Sequence, residues 1–148
     1  MKQLIVIVLL VTNLSGCSKP TPQTDINRKS DAVTIENGWV RAANTGMMSA
    51  AYFTIHNGLN VADTLTEIRS SISKNLQIHE TFKENDGMMG MRELQTIPVK
   101  RKSTLELTPG GIHVMIIHTV HDISDGDSVD FILDFSVMGE VGVKFPVR

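Results

Sequence analysis

"NLQIHETFKENDGMMGMREL", residues 75–94, reads as two extended runs around a turn. Apolar and polar residues alternate on both sides of Asn85-Asp86-Gly87 with a period of two, which marks strands rather than helix. The glycine suits the positive φ that a three-residue hairpin loop requires. With that loop Glu84 faces Met88 and Thr81 faces Met91. His79, Thr81, Lys83, Met89 and Met91 then share one face, and His79 lies diagonal to Met91. A two- or four-residue loop would reverse the parity and separate them.

The same period recurs outward along the chain. It runs through "AVTIENGWVRA" (32–42), "SAAYFTIHN" (49–57), "ADTLTEIR" (62–69), "STLELT" (103–108), "GIHVMIIHTV" (111–120), "SVDFILDFSV" (128–137) and "VGVKFPV" (141–147). Clusters of Gly, Asn, Asp and Pro separate the runs, and no stretch predicts a helix of three turns. Many short strands at this spacing predict one all-β domain, an antiparallel β-sandwich or Greek-key barrel, over 32–148.

The chain has 148 residues, enough for one domain and a leader. Its net charge of −2 and its scattered cations, densest at Lys100-Arg101-Lys102, argue against nucleic-acid binding. At the N-terminus Lys2 precedes an apolar run from Leu4 to Val11, too short to span a bilayer but suited to a signal peptide. That run leads into Leu14-Ser15-Gly16-Cys17, which resembles a bacterial lipobox, so residues 1–17 are expected to form a lipoprotein signal peptide with Cys17 lipidated. Ser18, not Asp, follows Cys17 and points to the outer membrane, or to the cell surface in a single-membrane host. Residues 18–31 are polar with two prolines and predict a flexible tether reaching roughly 20 Å. Cys17 is the only cysteine, so neither an internal disulfide nor a thiolate metal site is available.

"HVM" at 113–115 sets His113 and Met115 on one face of a strand launched by Pro109-Gly110-Gly111. Together with His79 and Met91 they offer two imidazoles and two thioethers, a neutral and soft donor set. Thioether sulfur selects Cu(I), whereas calcium and magnesium want oxygen and a blue-copper centre needs a cysteine. The bland alternative is a core histidine beside gap-filling methionines. Spacing alone leaves both readings standing.

At this point the residues resemble the periplasmic Cu(I) chaperones called PCu(A)C. That family's hallmark is a His, about ten residues, a Met, twenty-one residues, then His-x-Met. Here 21 residues separate Met91 from His113, and "GWVRA" (38–42), "AAYFTIHN" (50–57), "QIHET" (77–81), "MGMRE" (89–93) and "LTPGGIHVMI" (107–116) are similar to its stretches in their usual order. One departure is that 11 residues, not ten, separate His79 from Met91. Met89 is the rival ligand on the same face, but 23 residues separate it from His113, so the downstream count favours Met91. The resemblance implies a cupredoxin-like, Ig-like β-sandwich holding one Cu(I) through His79, Met91, His113 and Met115. It also implies copper delivery to the CuA centre of cytochrome c oxidase or a related oxidase, with the receiving subunit or another copper chaperone as partner. The chain is expected to work as a monomer. Copper sequestration for tolerance and a metal-free interaction lipoprotein are the rival functions.

Other polar residues carry weaker expectations. His118 has the opposite parity to His113 and should face away, and His121 should lie in the loop beyond. His56 reads as a turn residue at a strand end, and Trp39 as a core anchor. Glu80 and Glu93 flank the candidate ligands as exposed strand carboxylates. No nucleophile elbow, paired carboxylates or phosphate loop supports an enzyme.

Overall fold

The computed structural model describes residues 31–148; the expected signal peptide, Cys17 and the tether up to residue 30 lie outside the described residues. The nine alternating runs form strands and a tenth short strand, β6, lies outside them: β1 (Val33–Val40), β2 (Ser49–Asn57), β3 (Asp63–Arg69), β4 (Asn75–Lys83), β5 (Met89–Leu94), β6 (Ile97–Val99), β7 (Ser103–Leu107), β8 (Ile112–Ile117), β9 (Ser128–Phe135) and β10 (Gly139–Pro146). One sheet has the order β1-β2-β8-β4-β5, with β7 also on β2; the other has the order β10-β9-β3-β6. The strand pairs are antiparallel, and the two sheets stack as the expected β-sandwich. Among the described residues no helix is long and apolar enough to cross a membrane.

Between the sheets lies a continuous core that includes Val40, Phe53, Ile55, Leu65, Ile78, Val114, Ile116, Leu133 and Phe135. Each such side chain stabilises the fold by about 1.5–3 kcal/mol relative to exposure. Because side chains alternate along a strand, placing Ile78, Val114 and Ile116 inward turns Gln77, His79, His113 and Met115 to the outer face of the first sheet. That face is where the candidate ligands meet.

Two local features shape it. β7 and β8 both run antiparallel to β2, one against Phe53–Asn57 and the other against Ser49–Ala51. They are therefore one strand interrupted by a protruding loop at 108–111, closed by hydrogen bonds between Thr108 and both Gly111 and Ile112. The second feature is a β-bulge in β1 between Glu36 and Trp39, with Asn37 at φ 56°. Simple parity from Val33 and Ile35 would carry Trp39 into the core. The bulge inserts a residue, so Val40 takes the core position opposite Ala51 and Trp39 faces outward opposite Tyr52. The expectation of Trp39 as a core anchor is thus corrected: it is half-buried on the ligand face.

Candidate metal centre

The β4–β5 hairpin has the register the three-residue loop requires. Glu84 N–H donates to Met88 C=O, Thr81 pairs with Met91, His79 with Glu93, and Gly87 takes φ 89°. Gly90 pairs with Phe82, and a Cβ there would sit 2.7 Å from Phe82 Cζ. Gly90 therefore lets the Phe82 ring lie across β5 on the side away from His79. It also accounts for the ligand skipping that position: residue 90 points to the wrong face and has no side chain.

His79 and His113 face each other directly across β4 and β8, with ring centroids 6.0 Å apart and planes at 67°. Met91 reaches diagonally across β4–β5, and its Sδ lies 3.1 Å from His79 Nδ1. Two donors on one metal ion, each about 2.0–2.3 Å from it, stand roughly 3–4 Å apart, so this pair already has the spacing of co-ligands. Met115 follows two residues after His113 on the same face, in register with Gln77 on one side and Ala50 on the other. The structure thus gathers His79, His113 and Met91 and sets Met115 on their flank. Met89 shares their face by parity but pairs with Lys83 one step further along the edge strand and is 64% exposed. Among the described residues no group of three or more His, Cys, Asp or Glu could hold a metal ion. Beside the two imidazoles, the further donor in reach is the Met91 sulfur.

The four positions differ in burial. His113 is only 6% exposed, although it lies outside the core; the Tyr52 ring is centred 6.2 Å away, with Trp39 stacked 4.5 Å beyond Tyr52. His79 and Met115 are half-buried, and Met91 is 51% exposed on the edge strand. A metal held here has one inner donor and one outer donor. Sequence reasoning missed Tyr52 as a wall of the site, because the pairing of β2 with β8 is not readable from local pattern. It also missed Gln77, whose Oε1 lies 2.9 Å from His79 Nε2. Its place two residues before His79 was the available signal.

The remaining histidines and carboxylates stand apart. His118 is exposed just past the end of β8 with φ 55°, and His121 is exposed in the next loop, its Nδ1 2.9 Å from the Asp122 carbonyl. His56 is not a turn residue, a second correction. It lies inside β2, where Nδ1 is 2.8 Å from Thr104 Oγ1 and Nε2 is 3.4 Å from Glu36, because β1 and β7 both pair with β2 past the apparent strand end. Glu80 turns away from His79 and takes two hydrogen bonds from Arg92, at 2.8 and 2.6 Å. Glu93 sits opposite His79 and is exposed.

Burial lowers the His79 pKa from its ordinary 6.5; nearby His113 lowers it further, and the Glu93 carboxylate raises it against them. An NMR titration of the metal-free protein should give His79 a midpoint below 6.5. Glu93→Gln should lower that midpoint further, and His113→Gln should raise it; unchanged midpoints would remove both charges from the site. The depressed pKa also links to folding. The contribution of neutral His79 to stability is complete above 6.5 and is lost as pH falls towards the lower folded value.

Comparison with known proteins fits this architecture. The family model described as "Putative lipoprotein LpqE-like" matches residues 33–147. "Putative lipoprotein Lxx21020" of Leifsonia xyli subsp. xyli (strain CTCB07) is 30% identical over 146 residues, covering 96% of this chain and 86% of that protein. Among solved structures, the copper-bound PCuAC domain from PmoF2 aligns with a TM-score of 0.66 at 23% identity, over 78% of this chain and 92% of that one. The Cu(I) form of DR1885 from Deinococcus radiodurans aligns with a TM-score of 0.62 at 20% identity, over 82% and 83% of the two chains. At these identities the structures establish a shared fold, the β-sandwich of PCuAC domains. The family match runs from the first strand to the last, and the chain belongs to the LpqE-like lipoprotein family.

Proposed function

We propose that this protein is an extracytoplasmic Cu(I) carrier that holds one ion through His79, Met91, His113 and Met115. The observation that carries the reading is the 3.1 Å approach of Met91 sulfur to His79 Nδ1, beside a directly opposed His113. The donor set is neutral, so the bound ion keeps its single charge, and the soft sulfurs favour Cu(I) over zinc or magnesium. No cysteine lies in the domain to build a blue-copper electron-transfer centre, so the chemistry we assign is binding and release.

Burial sets the order of release. Met91 is on the exposed edge strand and His113 is at the bottom of the site, so a partner's ligand displaces the thioether first and the inner imidazole last. The ion is Cu(I) before and after, and no electron moves. We assign the recipient as the CuA site, or a related site, of an oxidase under assembly, reached directly or through another chaperone. The carrier is a monomer tethered by lipidated Cys17 on the outer side of a membrane, the outer membrane where the host has one.

Anaerobic competition with a chromogenic Cu(I) chelator tests the binding: one equivalent should be withdrawn from the chelator per chain. No uptake would leave a metal-free interaction lipoprotein. A deletion strain tests the destination: oxidase activity should fall and recover with added copper. Normal oxidase activity with heightened copper sensitivity would assign the protein to copper sequestration instead.

A further inference from the structure

Gln77 precedes His79 by two residues on β4, so both side chains lie on the outer face of the sheet. Its amide oxygen Oε1 is 2.9 Å from His79 Nε2, while Met91 Sδ is 3.1 Å from His79 Nδ1. Both neighbours can only accept a hydrogen bond, the amide oxygen strongly and the thioether sulfur weakly, so the proton goes to Nε2 towards Gln77 and Nδ1 keeps the lone pair. At His113 the arrangement is reversed. Its Nδ1 is 3.0 Å from the Gly111 carbonyl oxygen, which also can only accept, so Nδ1–H donates and Nε2 keeps the lone pair.

We propose that Gln77 is a positioning residue that fixes His79 as an Nδ1 donor facing Met91, so that the site pairs one Nδ1 donor with one Nε2 donor. The two histidines occupy directly opposed positions, yet they are held by different means. His113 is fixed by the 108–111 loop, whose Gly111 carbonyl also accepts from Thr81 N–H and so ties the loop to β4. Among the described residues His79 has no such carbonyl contact; a side chain two residues upstream does the work. With the proton on Nδ1 instead, the lone pair of His79 would point at Gln77 and away from the Met91 sulfur. The imidazole would then be present in the site but turned from the metal. A hydrogen-bond partner on the far nitrogen of a ligating histidine sets both its orientation and its basicity.

The consequence for affinity rests on the Cu(I)-carrier reading, whereas the tautomers are read on metal-free protein. The experiment is a long-range proton–nitrogen correlation spectrum of the full chain in detergent micelles, labelled with ¹⁵N-histidine, at a pH above the imidazole range. His79 should be protonated at Nε2 and His113 at Nδ1. Gln77→Leu should convert His79 to a mixture of tautomers, leave His113 unchanged and weaken Cu(I) binding about tenfold, the lower end of the range for such partners. Gln77→Glu, which keeps an acceptor, should restore both the tautomer and the affinity. His79 protonated at Nδ1 in the parent, or an unaltered tautomer in Gln77→Leu, would overturn the assignment. The expected tautomers in a parent that takes up no Cu(I) would support the positioning role and overturn the carrier reading instead. Should Gln77→Leu fail to fold, the parent spectrum decides alone.

Discussion

Replacing Met91 and Met115 together by leucine should weaken Cu(I) binding by roughly a hundredfold or more. Residues that only orient a ligand cost about 10–100-fold when removed, so loss of two ligands must reach at least that range. Leucine keeps the apolar volume and removes both sulfurs, and exchanges of this kind cost less than about 1.5 kcal/mol in stability. The thermal midpoint of the double variant should therefore stay close to that of the parent while chelator competition shows the ion released. Met91→Leu alone should have the larger effect on the rate at which a competing ligand removes copper, because Met91 is the exposed donor. Met89→Leu is the matched control on the same edge strand, and it should change neither quantity. Should Met89→Leu release the ion and Met91→Leu not, the ligand assignment on β5 moves by two residues. Equal binding by parent and double variant would remove the sulfur site altogether.

Asp63→Ala should cost about 3 kcal/mol of stability, as much as truncating a large core side chain, since each buried donor left without its partner costs about 1–3 kcal/mol. Asp63 is 1% exposed at the start of β3. Its carboxylate accepts from Thr64 N–H at 2.7 Å, Val137 N–H at 2.8 Å, Met138 N–H at 3.0 Å and the Ser136 hydroxyl at 3.0 Å. It thereby holds the turn between β9 and β10 against the start of β3. The thermal midpoint should fall by roughly 10 °C for a domain of this size. Burial by itself would raise the Asp63 pKa, but the backbone donors of Val137, Thr64 and Met138 and the Ser136 hydroxyl outweigh it and hold the value below 3.8. The sign follows from that depression. The contribution is complete above 3.8 and is lost as pH falls through the folded pKa, so the parent should show an acid-unfolding limb that Asp63→Ala flattens. Equal urea midpoints for the two proteins would show that the turn holds without the carboxylate.

Much of the site is legible in sequence because a hairpin is a local object. Asn85-Asp86-Gly87 sets the loop length, the loop sets the register, and the register alone puts Met91 diagonal to His79. His113 and Met115 share a face for the same reason of parity. Where a local feature breaks parity, the reading fails. The bulge at Asn37 sends Trp39 out of the core, and nothing in "AVTIENGWVRA" distinguishes a bulged strand from a straight one. His56 looks like a turn residue because Asn57 and Gly58 follow it. Its pairing with Thr34 of β1 on one side and Thr104 of β7 on the other keeps it in the sheet.

The sequence by itself determined every strand but the short β6, the hairpin register and the chemical character of the donor set, since each depends on neighbours within about twenty residues or on composition alone. The tertiary structure decided that β4 and β8 are adjacent, which brings His79 opposite His113 across a gap of 34 positions. It also decided that Tyr52 walls the site and that Gln77 and the Gly111 carbonyl claim the far nitrogens of the two imidazoles. Those facts belong to long-range strand order and to the directions of individual lone pairs. Strand order is selected by burial of the whole sandwich core, so it is not written in any one segment.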